Sequence, residues 1–397
     1  MDSNYMVSIQ EAIELVNTHT NVGTTTSESL LNALDLFLAK DTFSTINMPP
    51  FNQSAMDGYA VLYDEQHQNN FVLVDEIKAG DNNKRTLEVG QAVRIFTGAP
   101  TPTNANAVIM QENTAVADGI LTIEDTLTNN KNIRLAGEQI KKEELALATG
   151  SKLNPAAIGF LATLGITSVE VYQKPSITIV VTGNELAEAG KPLDFGQIYE
   201  SNAIMLQSAL LKKGFNNITI LKVKDNYQAT KESLHTAINQ SDFVLISGGI
   251  SVGDYDFVGK ALLELNTQQL FYKIKQKPGK PLFYGKNGNT NIFALPGNPA
   301  SALTCFYIYI EAALQQFIGN PNYKKQTISL SLKDEYIKKG IRGEFLKATA
   351  TGKEVSILGS QSSAMLNTFA NANALIYLDE GVGTIQKNTT VTTYIID

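Results

Sequence analysis

The spacing of hydrophobic residues predicts helices in the first part of the chain. Apolar residues in 8–18 recur on one helical face, so we predict an opening helix there. A second helix is predicted over residues 27–39, where five leucines fall mostly on one side. From about residue 45 to 140 the pattern changes to short apolar runs separated by turns, which indicates a β-rich domain inserted between helical pieces.

Short apolar strands alternate with amphipathic helices from residue 176 onward. Each predicted strand is followed by a loop and a helix, an alternation typical of a mostly parallel sheet with helices on both faces. Short β runs return near the end of the chain and predict a small C-terminal β domain. The strands predicted in the α/β part are 177–181, 218–223, 243–246 and 292–295.

The chain of 397 residues exceeds the ~250–300 residues at which single cores stop growing, so several domains are expected. We predict an α/β multidomain protein with a central, mostly parallel α/β domain. Whether the opening helix packs on its sequence neighbours or on the central domain is left open. The predicted parts are an N-terminal helical and linking domain (1–44 and 141–175), an inserted β-rich domain (45–140), the central α/β domain (176–320) and a C-terminal β domain (321–397).

Composition and net charge argue against several classes of function for this protein. The chain has 32 Lys and Arg against 39 Asp and Glu, a net charge of −7, which argues against non-specific binding to nucleic acid or to an anionic membrane. Its one cysteine, Cys305, excludes an internal disulfide and a thiolate metal cluster. The first residues lack the pattern of a signal peptide. We therefore expect a cytoplasmic protein.

Acidic side chains follow the strands of the predicted sheet at Glu185, Asp225, Asp254 and Asp256. Ligands of open parallel sheets bind outside the carboxyl ends of the strands, and Mg²⁺ prefers carboxylate and phosphate oxygens. Each acid taken alone is more often a helix cap, but four at one edge favour a metal site. Asp242 stands at the opposite end of its strand and is predicted to be structural.

Two further segments suit an anion. The glycines of Ser247-Gly248-Gly249 follow a strand and allow backbone amides to approach a phosphate, although a tight strand-to-helix turn also needs small residues. The segment 273–281 concentrates lysines in an acidic protein. It is either an edge strand that lysine protects from aggregation or an oxyanion pocket, and the rigid Pro-Gly spacing favours a shaped site.

The loop around Asp57 surrounds one carboxylate with apolar and aromatic residues, as functional loops often do, although a domain hinge would explain it too. The three histidines lie outside every candidate segment, so histidine acid–base chemistry has little support. Cys305 falls in an apolar helix and is expected in a core. Carboxylates, lysines and backbone amides remain, a set that suits oxyanions and phosphate esters with a metal electrophile.

A series of motifs in one order resembles the molybdopterin molybdenumtransferases, the family of MoeA and the gephyrin E domain. The first motif is Asn52-Gln53-Ser54-Ala55-Met56-Asp57-Gly58-Tyr59-Ala60. The resemblance covers nearly the whole chain. The other motifs lie at 94–100, 108–112, 132–134, 182–186, 247–249, 277–281, 296–299, 342–345 and 361–363.

The resemblance implies an elongated homodimer of four-domain subunits, in which the central domain binds molybdopterin and the second subunit completes the cleft. The implied reaction takes adenylylated molybdopterin and molybdate with Mg²⁺, inserts molybdenum into the dithiolene and releases AMP. A molybdopterin adenylyltransferase is implied upstream. The substrate supplies the dithiolate, which explains why the protein needs no cysteine at the site.

The resemblance also assigns residues by position. The polar and acidic groups of the cleft are Asp57, Thr97, Glu185, Asp225 and Asp256, and the last three are the implied Mg²⁺ ligands. Residues implied for phosphate or substrate are Gly248, Gly249, Ser251, Lys273, Lys277, Lys280, Pro296, Pro299 and Ser301. Molybdate is assigned to Lys277, Lys280, Ser301, Arg342 and Ser363.

Two positions depart from the family pattern. Gln139 stands where the family usually has an acid, and Asn106 also replaces a common acid. A lost carboxylate leaves open a non-catalytic molybdopterin-binding or scaffold protein of the gephyrin E-domain type, although the remaining cleft acids are present. A general nucleotide-binding α/β protein would explain residues 247–249 but not the Asp57 loop or the Lys-Pro-Gly-Lys run.

Overall fold

The computed structural model describes residues 5–82, 84–224, 226–250 and 257–396. They form two compact units: the described parts of Met1–Thr26 and Tyr172–Asp397 make the first, and those of Ser27–Val171 make the second. The four-part division predicted from the sequence is finer than these two units and stays a prediction. Across the described ranges, no helix combines the length and apolar character that crossing a membrane requires.

The first unit is built on a six-stranded mixed sheet. Four neighbouring strands are parallel, as predicted, and the last two are antiparallel. Their side chains are largely apolar, as a sheet covered on both faces requires. In order across the sheet, the strands are Ile218–Val223, Ile177–Thr182, Phe243–Ser247, Thr290–Leu295, Pro281–Asn287 and Gln268–Lys273.

Helices connect the parallel strands and cover the sheet. The last of them is one continuous rod in which the π-helical turn Phe306–Ile310 joins two α-helical parts. The described α-helices of this region are Asn202–Lys212, Tyr227–Gln240, Phe257–Glu264, Pro299–Cys305 and Glu311–Phe317.

The opening helix Ile9–His19 begins with a capping box, in which Ser8 and Glu11 each accept a hydrogen bond from the other's backbone amide. It packs on Glu311–Phe317, and Gln316 Nε2 donates to the carbonyls of Asn17 (2.9 Å) and Thr20 (2.7 Å) at its end. The helix therefore packs on the central α/β region.

A second sheet lies in the C-terminal region of the same unit. Gly343–Thr351 pairs with strands on both sides, and its pairing with Ala374–Leu378 closes five strands into a ring around an apolar core. The sixth strand, Gln276–Lys277, pairs with Gly343 and Glu344 although it comes from the central part of the chain. The remaining strands are Glu354–Ile357, Thr327–Leu332 and Thr390–Ile395.

Shorter elements complete the first unit. Tyr336–Lys338 pairs with Gly383–Ile385, Leu186–Ala187 pairs with Ile198–Tyr199, and Leu366–Phe369 forms one helical turn.

The second unit confirms the predicted β-rich region. Its main sheet contains, in order, Ala107–Met110, Gly58–Val61, Gln91–Ile95, Asn70–Ile77, Ile120–Ile123 and Thr114–Ala117. Apolar clusters include the residues on both faces of this sheet, as around Tyr59 and Ala60. Further elements are the strand pairs Gln53–Ser54 with Ile133–Arg134, Thr42–Phe43 with Leu145–Leu147 and Thr25–Ser29 with Ser168–Tyr172, the 3₁₀ turn Gln111–Asn113 and the helix Pro155–Thr163.

The helix predicted over residues 27–39 is wrong. The segment starts as a strand and continues through turns, with Asp35 at φ +64° and Leu31 82% exposed. Its backbone amides bond to residues far along the chain: those of Leu30, Asp35 and Leu38 donate to the carbonyls of Thr167, Leu153 and Ser151. These long-range bonds replace the local ones of a helix, so tertiary pairing overrides the helical propensity of the leucines.

Gly58 permits close contact between two strands of the second unit. A Cβ atom there would lie 1.8 Å from the carbonyl oxygen of Ile109, so Gly58→Ala should lower the free energy of unfolding by about 1–3 kcal/mol. The control Gly159→Ala lies in the helix Pro155–Thr163, where a Cβ meets nothing within 4 Å. It should raise that free energy by about 0.5–1 kcal/mol. Urea denaturation followed by circular dichroism measures both, and equal shifts would contradict the strand contact.

Candidate oxyanion-binding site

A cavity of about 620 Å³ opens in the first unit and collects basic residues from distant parts of the sequence. Six of the residues assigned to phosphate or molybdate line it: Lys277, Lys280, Pro296, Ser301, Arg342 and Ser363. Pro278, Gly279, Pro281, Asn298, Gln361 and Ser362 complete its lining. Lys273 and Pro299 do not line it: Lys273 lies over the ring of Tyr272, and Pro299 begins a helix.

The buried side chain of Gln276 fixes the conformation of the lysine-rich segment 273–281 by hydrogen bonds. Gln276 is fully buried, its Nε2 donates to the carbonyl of Pro278 (2.9 Å) and to Cys305 Sγ (3.6 Å), and its Oε1 accepts from the Tyr309 hydroxyl. A Cβ at Gly279 would lie 2.6 Å from Gln276 Nε2, so only glycine fits there, at φ +91°. Residues 278–280 therefore form a shaped turn, while Gln276–Lys277, just before them, is the edge strand of the C-terminal sheet. Cys305 is buried, as predicted.

Lys277 and Arg342 are both oriented by partners on the paired strands. Lys277 Nζ lies 2.6 Å from Oε1 of Glu344, which is buried, while the lysine itself stays half exposed. Arg342 Nη1 donates to the carbonyl of Gln276 at 2.8 Å. Burial and the neighbouring Glu344 raise the pKa of Tyr336 to about 12, so its hydroxyl stays neutral beside this pair.

The far side of the cavity joins two loops. Asn298 Nδ2 donates to Ser363 Oγ at 3.0 Å, and the Ser363 carbonyl accepts from the amides of Ala300 (3.1 Å) and Ser301 (3.3 Å). Those helix-start amides therefore already bond a protein carbonyl. The Ser301 side chain is almost fully buried at the cavity wall.

The glycines of the predicted phosphate loop are required by packing. A Cβ at Gly248 would lie 2.5 Å from the Thr182 carbonyl, and one at Gly249 would lie 2.7 Å from Val258 Cγ2. Both glycines have positive φ, +89° and +65°. The structure thus explains why this turn needs small residues, and the phosphate role stays a prediction. Ser251, which the resemblance assigns to the same loop, lies outside the described residues.

The predicted metal ligands are described only in part. Glu185 is an exposed carboxylate just after the strand Ile177–Thr182, while Asp225, Asp254 and Asp256 lie outside the described residues. Among the residues that the structure describes, no group of three or more His, Cys, Asp or Glu side chains could hold a metal ion.

Asp242 is structural, as predicted: its Oδ2 accepts from the amide and the hydroxyl of Ser176, both at 2.8 Å.

Asp57 and Thr97 meet in the second unit. Asp57 Oδ1 accepts from the Thr97 amide and the Thr97 hydroxyl, both at 2.7 Å. The amide bond first and the hydroxyl bond second lower the pKa of Asp57 below its ordinary value, so the exposed carboxylate is ionised at neutral pH.

The two departures from the family pattern have separate outcomes. Asn106 Oδ1 accepts from the Tyr63 amide (3.0 Å) while its Nδ2 donates to the Tyr63 carbonyl (2.9 Å). A carboxylate could accept from the Tyr63 amide but could not donate to the Tyr63 carbonyl. These two bonds explain why a neutral asparagine stands at this position. Gln139 joins the turn through its backbone amide, which donates to the Met48 carbonyl. Nothing in the structure explains its side chain.

Sequence reasoning missed residues that hold the site together. Asn202 Nδ2 links Ser247 Oγ (2.7 Å) to the Gly297 carbonyl (2.8 Å), and so joins the ends of two strands. In the sequence it looks like an ordinary residue at the start of a helix. Gln276 was visible only as part of the lysine-rich segment 273–281 and Glu344 only as part of the motif 342–345, because their partners Cys305 and Lys277 lie 29 and 67 positions away.

Family models match three consecutive stretches of the chain. They are the MoeA N-terminal region (domain I and II) over residues 7–165, a probable molybdopterin binding domain over residues 178–316, and the MoeA C-terminal region (domain IV) over residues 329–396.

Curated relatives and solved structures agree with these models. The chain is 36% identical over 372 residues to a molybdopterin molybdenumtransferase of Haemophilus influenzae, covering 92% of each chain. It is 32% identical over 387 residues to one of Staphylococcus epidermidis, covering 94% of this chain and 92% of that one. The crystal structure of a molybdopterin biosynthesis MoeA protein from Pyrococcus horikoshii OT3 matches with a TM-score of 0.82 at 28% identity, covering 98% of this chain and 100% of that one.

Replacing Thr97 should change the titration of Asp57. Thr97→Val removes the hydroxyl bond and keeps the amide bond, so the pKa of Asp57 should rise part of the way to its ordinary value. Carbon-13 NMR titration of the aspartate carboxyl groups measures this. Thr101→Val, whose hydroxyl contacts the Asn52 carbonyl instead, is the control. An unchanged Asp57 pKa in Thr97→Val would show that the hydroxyl bond has no influence.

Proposed function

Because the chain belongs to the MoeA family of molybdopterin molybdenumtransferases, we propose that it inserts molybdenum from molybdate into adenylylated molybdopterin and releases AMP. The observation that carries this proposal is the cavity lined by Lys277, Lys280 and Arg342. Three cations in one pocket of an acidic chain form a site for a small, doubly charged oxyanion such as molybdate.

The partners of the cations determine how they bind an oxyanion. The buried carboxylate of Glu344 directs Lys277 and neutralises part of its charge. Arg342 is directed by a neutral carbonyl, so it keeps its full charge and has further N–H groups for a second acceptor. Lys280 adds a third positive charge, and the serines at 301 and 363 add polar groups. In this proposal Arg342 and Lys280 supply most of the net attraction, while Lys277 is a directed donor.

The phosphate end of the substrate is assigned to the turn of Gly248 and Gly249. Its backbone follows the strand Phe243–Ser247 at the carboxyl edge of the sheet, the position at which open α/β sheets bind ligands. Ser251 of the same loop, as well as Lys273 and the prolines at 296 and 299, remain part of the proposed substrate set.

The donor chemistry fits Mg²⁺. Glu185 offers an exposed carboxylate after Ile177–Thr182, the strand that pairs with Phe243–Ser247, and Asp225 and Asp256 follow other strands of the sheet in the sequence. Mg²⁺ keeps several waters and needs only one or two carboxylates besides substrate phosphates. When bound, the ion would withdraw negative charge from the departing AMP phosphate. Asp57, whose pKa is lowered by hydrogen bonds from Thr97, is a further acidic group of the proposed cleft.

The protein supplies no thiolate for the metal. Burial raises the pKa of Cys305 to about 12, so this thiol stays protonated beneath the cavity. The sulfur ligands of the product must therefore come from the substrate's dithiolene. The chain's own residues bind and orient the oxyanion and the phosphate ester.

The proposal includes a setting for the reaction. It comprises a homodimer in the cytoplasm, supplied with adenylylated molybdopterin by an upstream adenylyltransferase. A scaffold of the gephyrin E-domain type would need the fold but not the cations of the cavity, so activity measurements on cavity variants separate the two functions.

Removal of one cavity cation should abolish most of the activity. Lys277→Met keeps most of the length of the side chain and removes its charge, and we expect molybdenum insertion to fall about 100-fold, as when one oxyanion-binding donor is lost from an active site. Asp57→Ala should also lose turnover while staying folded. Lys353→Met, on an exposed hairpin of the C-terminal sheet, is the control. Insertion is followed by elemental analysis and AMP by chromatography. Near-normal turnover in Lys277→Met and Asp57→Ala would refute the site assignment.

Chelation tests the proposed metal. Treatment of the wild-type protein with EDTA should stop AMP release, and added Mg²⁺ should restore it, because carboxylates and phosphate oxygens hold this ion weakly enough to be stripped. Circular dichroism before and after chelation controls for unfolding. Full AMP release in EDTA would contradict a magnesium-dependent step.

A further inference from the structure

A buried lysine lies directly behind one wall of the cavity. Lys347, on the strand Gly343–Thr351, is only 3% exposed. Its Nζ donates to three backbone carbonyls, those of Ser360 (2.9 Å), Ser362 (3.1 Å) and Met365 (3.1 Å). The three donors of its ammonium group are thus matched by three acceptors. Within the described ranges no carboxylate lies within 4.0 Å of this group, so its charge is hydrogen-bonded but not neutralised.

The loop that receives these bonds carries two residues of the cavity lining, Ser362 and Ser363. The same loop is also attached to the backbone of Lys347. Gln361 Oε1 accepts from the Lys347 amide (2.8 Å), and Gln361 Nε2 donates to the Lys347 carbonyl (2.8 Å). Ser360 adopts φ +30°, in the left-handed region, so the loop conformation depends on these tertiary bonds. One residue therefore holds the loop through both its backbone and its ammonium group.

The buried ammonium group of Lys347 lowers the stability of the fold unless its charge has a function at the site. Burying a cation without a counter-ion is unfavourable, and burial lowers the pKa of Lys347. An apolar residue in the same space would avoid the cost of the buried charge, but it would leave the three loop carbonyls without this donor. The unneutralised charge and the cavity share one loop, so an oxyanion bound in the cavity would act as its counter-ion.

The peptide between Ser362 and Ser363 connects the lysine to the cavity. Its carbonyl faces Lys347, and because it is a trans peptide its N–H points away from the lysine. No described residue accepts a hydrogen bond from this Ser363 amide. A carbonyl that accepts from a cation polarises its peptide and strengthens the N–H on the other side as a donor.

We propose that Lys347 is a positioning residue for the oxyanion pocket: it holds the 360–365 loop and orients the Ser363 amide to donate to the bound oxyanion. This inference rests on the proposed function, since it takes molybdate as the anion. Lys347 does not touch the anion itself but acts through the Ser362–Ser363 peptide and through its charge.

Isothermal titration of the full chain with molybdate tests the inference. We expect Lys347→Met to weaken molybdate binding about tenfold or more, the effect of losing a charge-assisted hydrogen bond. Asn373→Ala is the matched control. Asn373 also attaches a loop to the strand Gly343–Thr351, through two bonds to the backbone of Ala350, but it is not part of the cavity lining. It should lower the melting temperature and leave molybdate affinity within about twofold.

Steady-state kinetics distinguish positioning from general stability. In Lys347→Met the KM for molybdate should rise while the KM for adenylylated molybdopterin is unchanged. A role limited to stability would give Lys347→Met and Asn373→Ala the same melting temperature loss and the same wild-type affinity for molybdate, and that result would overturn the inference.

A measurement on the wild-type protein decides the question even if Lys347→Met does not fold. With ¹⁵N-labelled serine, the Ser363 amide proton should shift downfield and exchange more slowly when molybdate is added. Molybdate binding that leaves this amide unchanged would overturn the inference but not the proposed function. A wild-type protein that binds no molybdate would refute the proposed molybdate site and this inference together.

Discussion

The cavity depends on one short backbone pairing, in which Gln276 and Lys277 join Gly343 and Glu344. This pairing attaches a segment of the central α/β region to the closed C-terminal sheet, and so places two lysines beside Arg342. The buried side chain of Gln276 maintains it from below through the Tyr309 hydroxyl and the Pro278 carbonyl. Because buried peptide groups must be paired, the segment cannot shift by one residue without breaking this set of bonds.

The cavity combines positive charges with partners that leave most of that charge available. Arg342 in the cavity and Lys347 behind its wall bond to neutral carbonyls, whereas Lys277 is paired with an acid, Glu344. Neutral acceptors orient a cation without cancelling its charge. A chain with a net charge of −7 can therefore present a local positive field, since that field depends on nearby groups rather than on the total.

The predictions from sequence succeeded where the pattern of apolar residues was local and regular. The parallel strands, such as Ile177–Thr182, were predicted to within a residue or two because they are short, apolar and bounded by loops. The helix predicted over residues 27–39 failed because its amides bond to residues that no local pattern reveals. At the candidate site, Lys277, Lys280 and Arg342 were predicted from their motifs, whereas Lys347 was missed because it looks like an exposed lysine on a strand.

The sequence by itself determined the kind of chemistry. It supplied lysines on a rigid Pro-Gly turn, carboxylates after strands, one cysteine and no histidine in a candidate segment, and motifs that indicated the family. Only the tertiary structure decided which of these groups meet and how each is held. Glu344 and Lys347 stand among ordinary residues in the sequence, and they become buried only because strands distant in sequence close into a ring. Gln361 bonds to the backbone of Lys347 only in that folded arrangement. Burial and hydrogen bonding, which give these side chains their roles, are properties of that closure and not of local sequence.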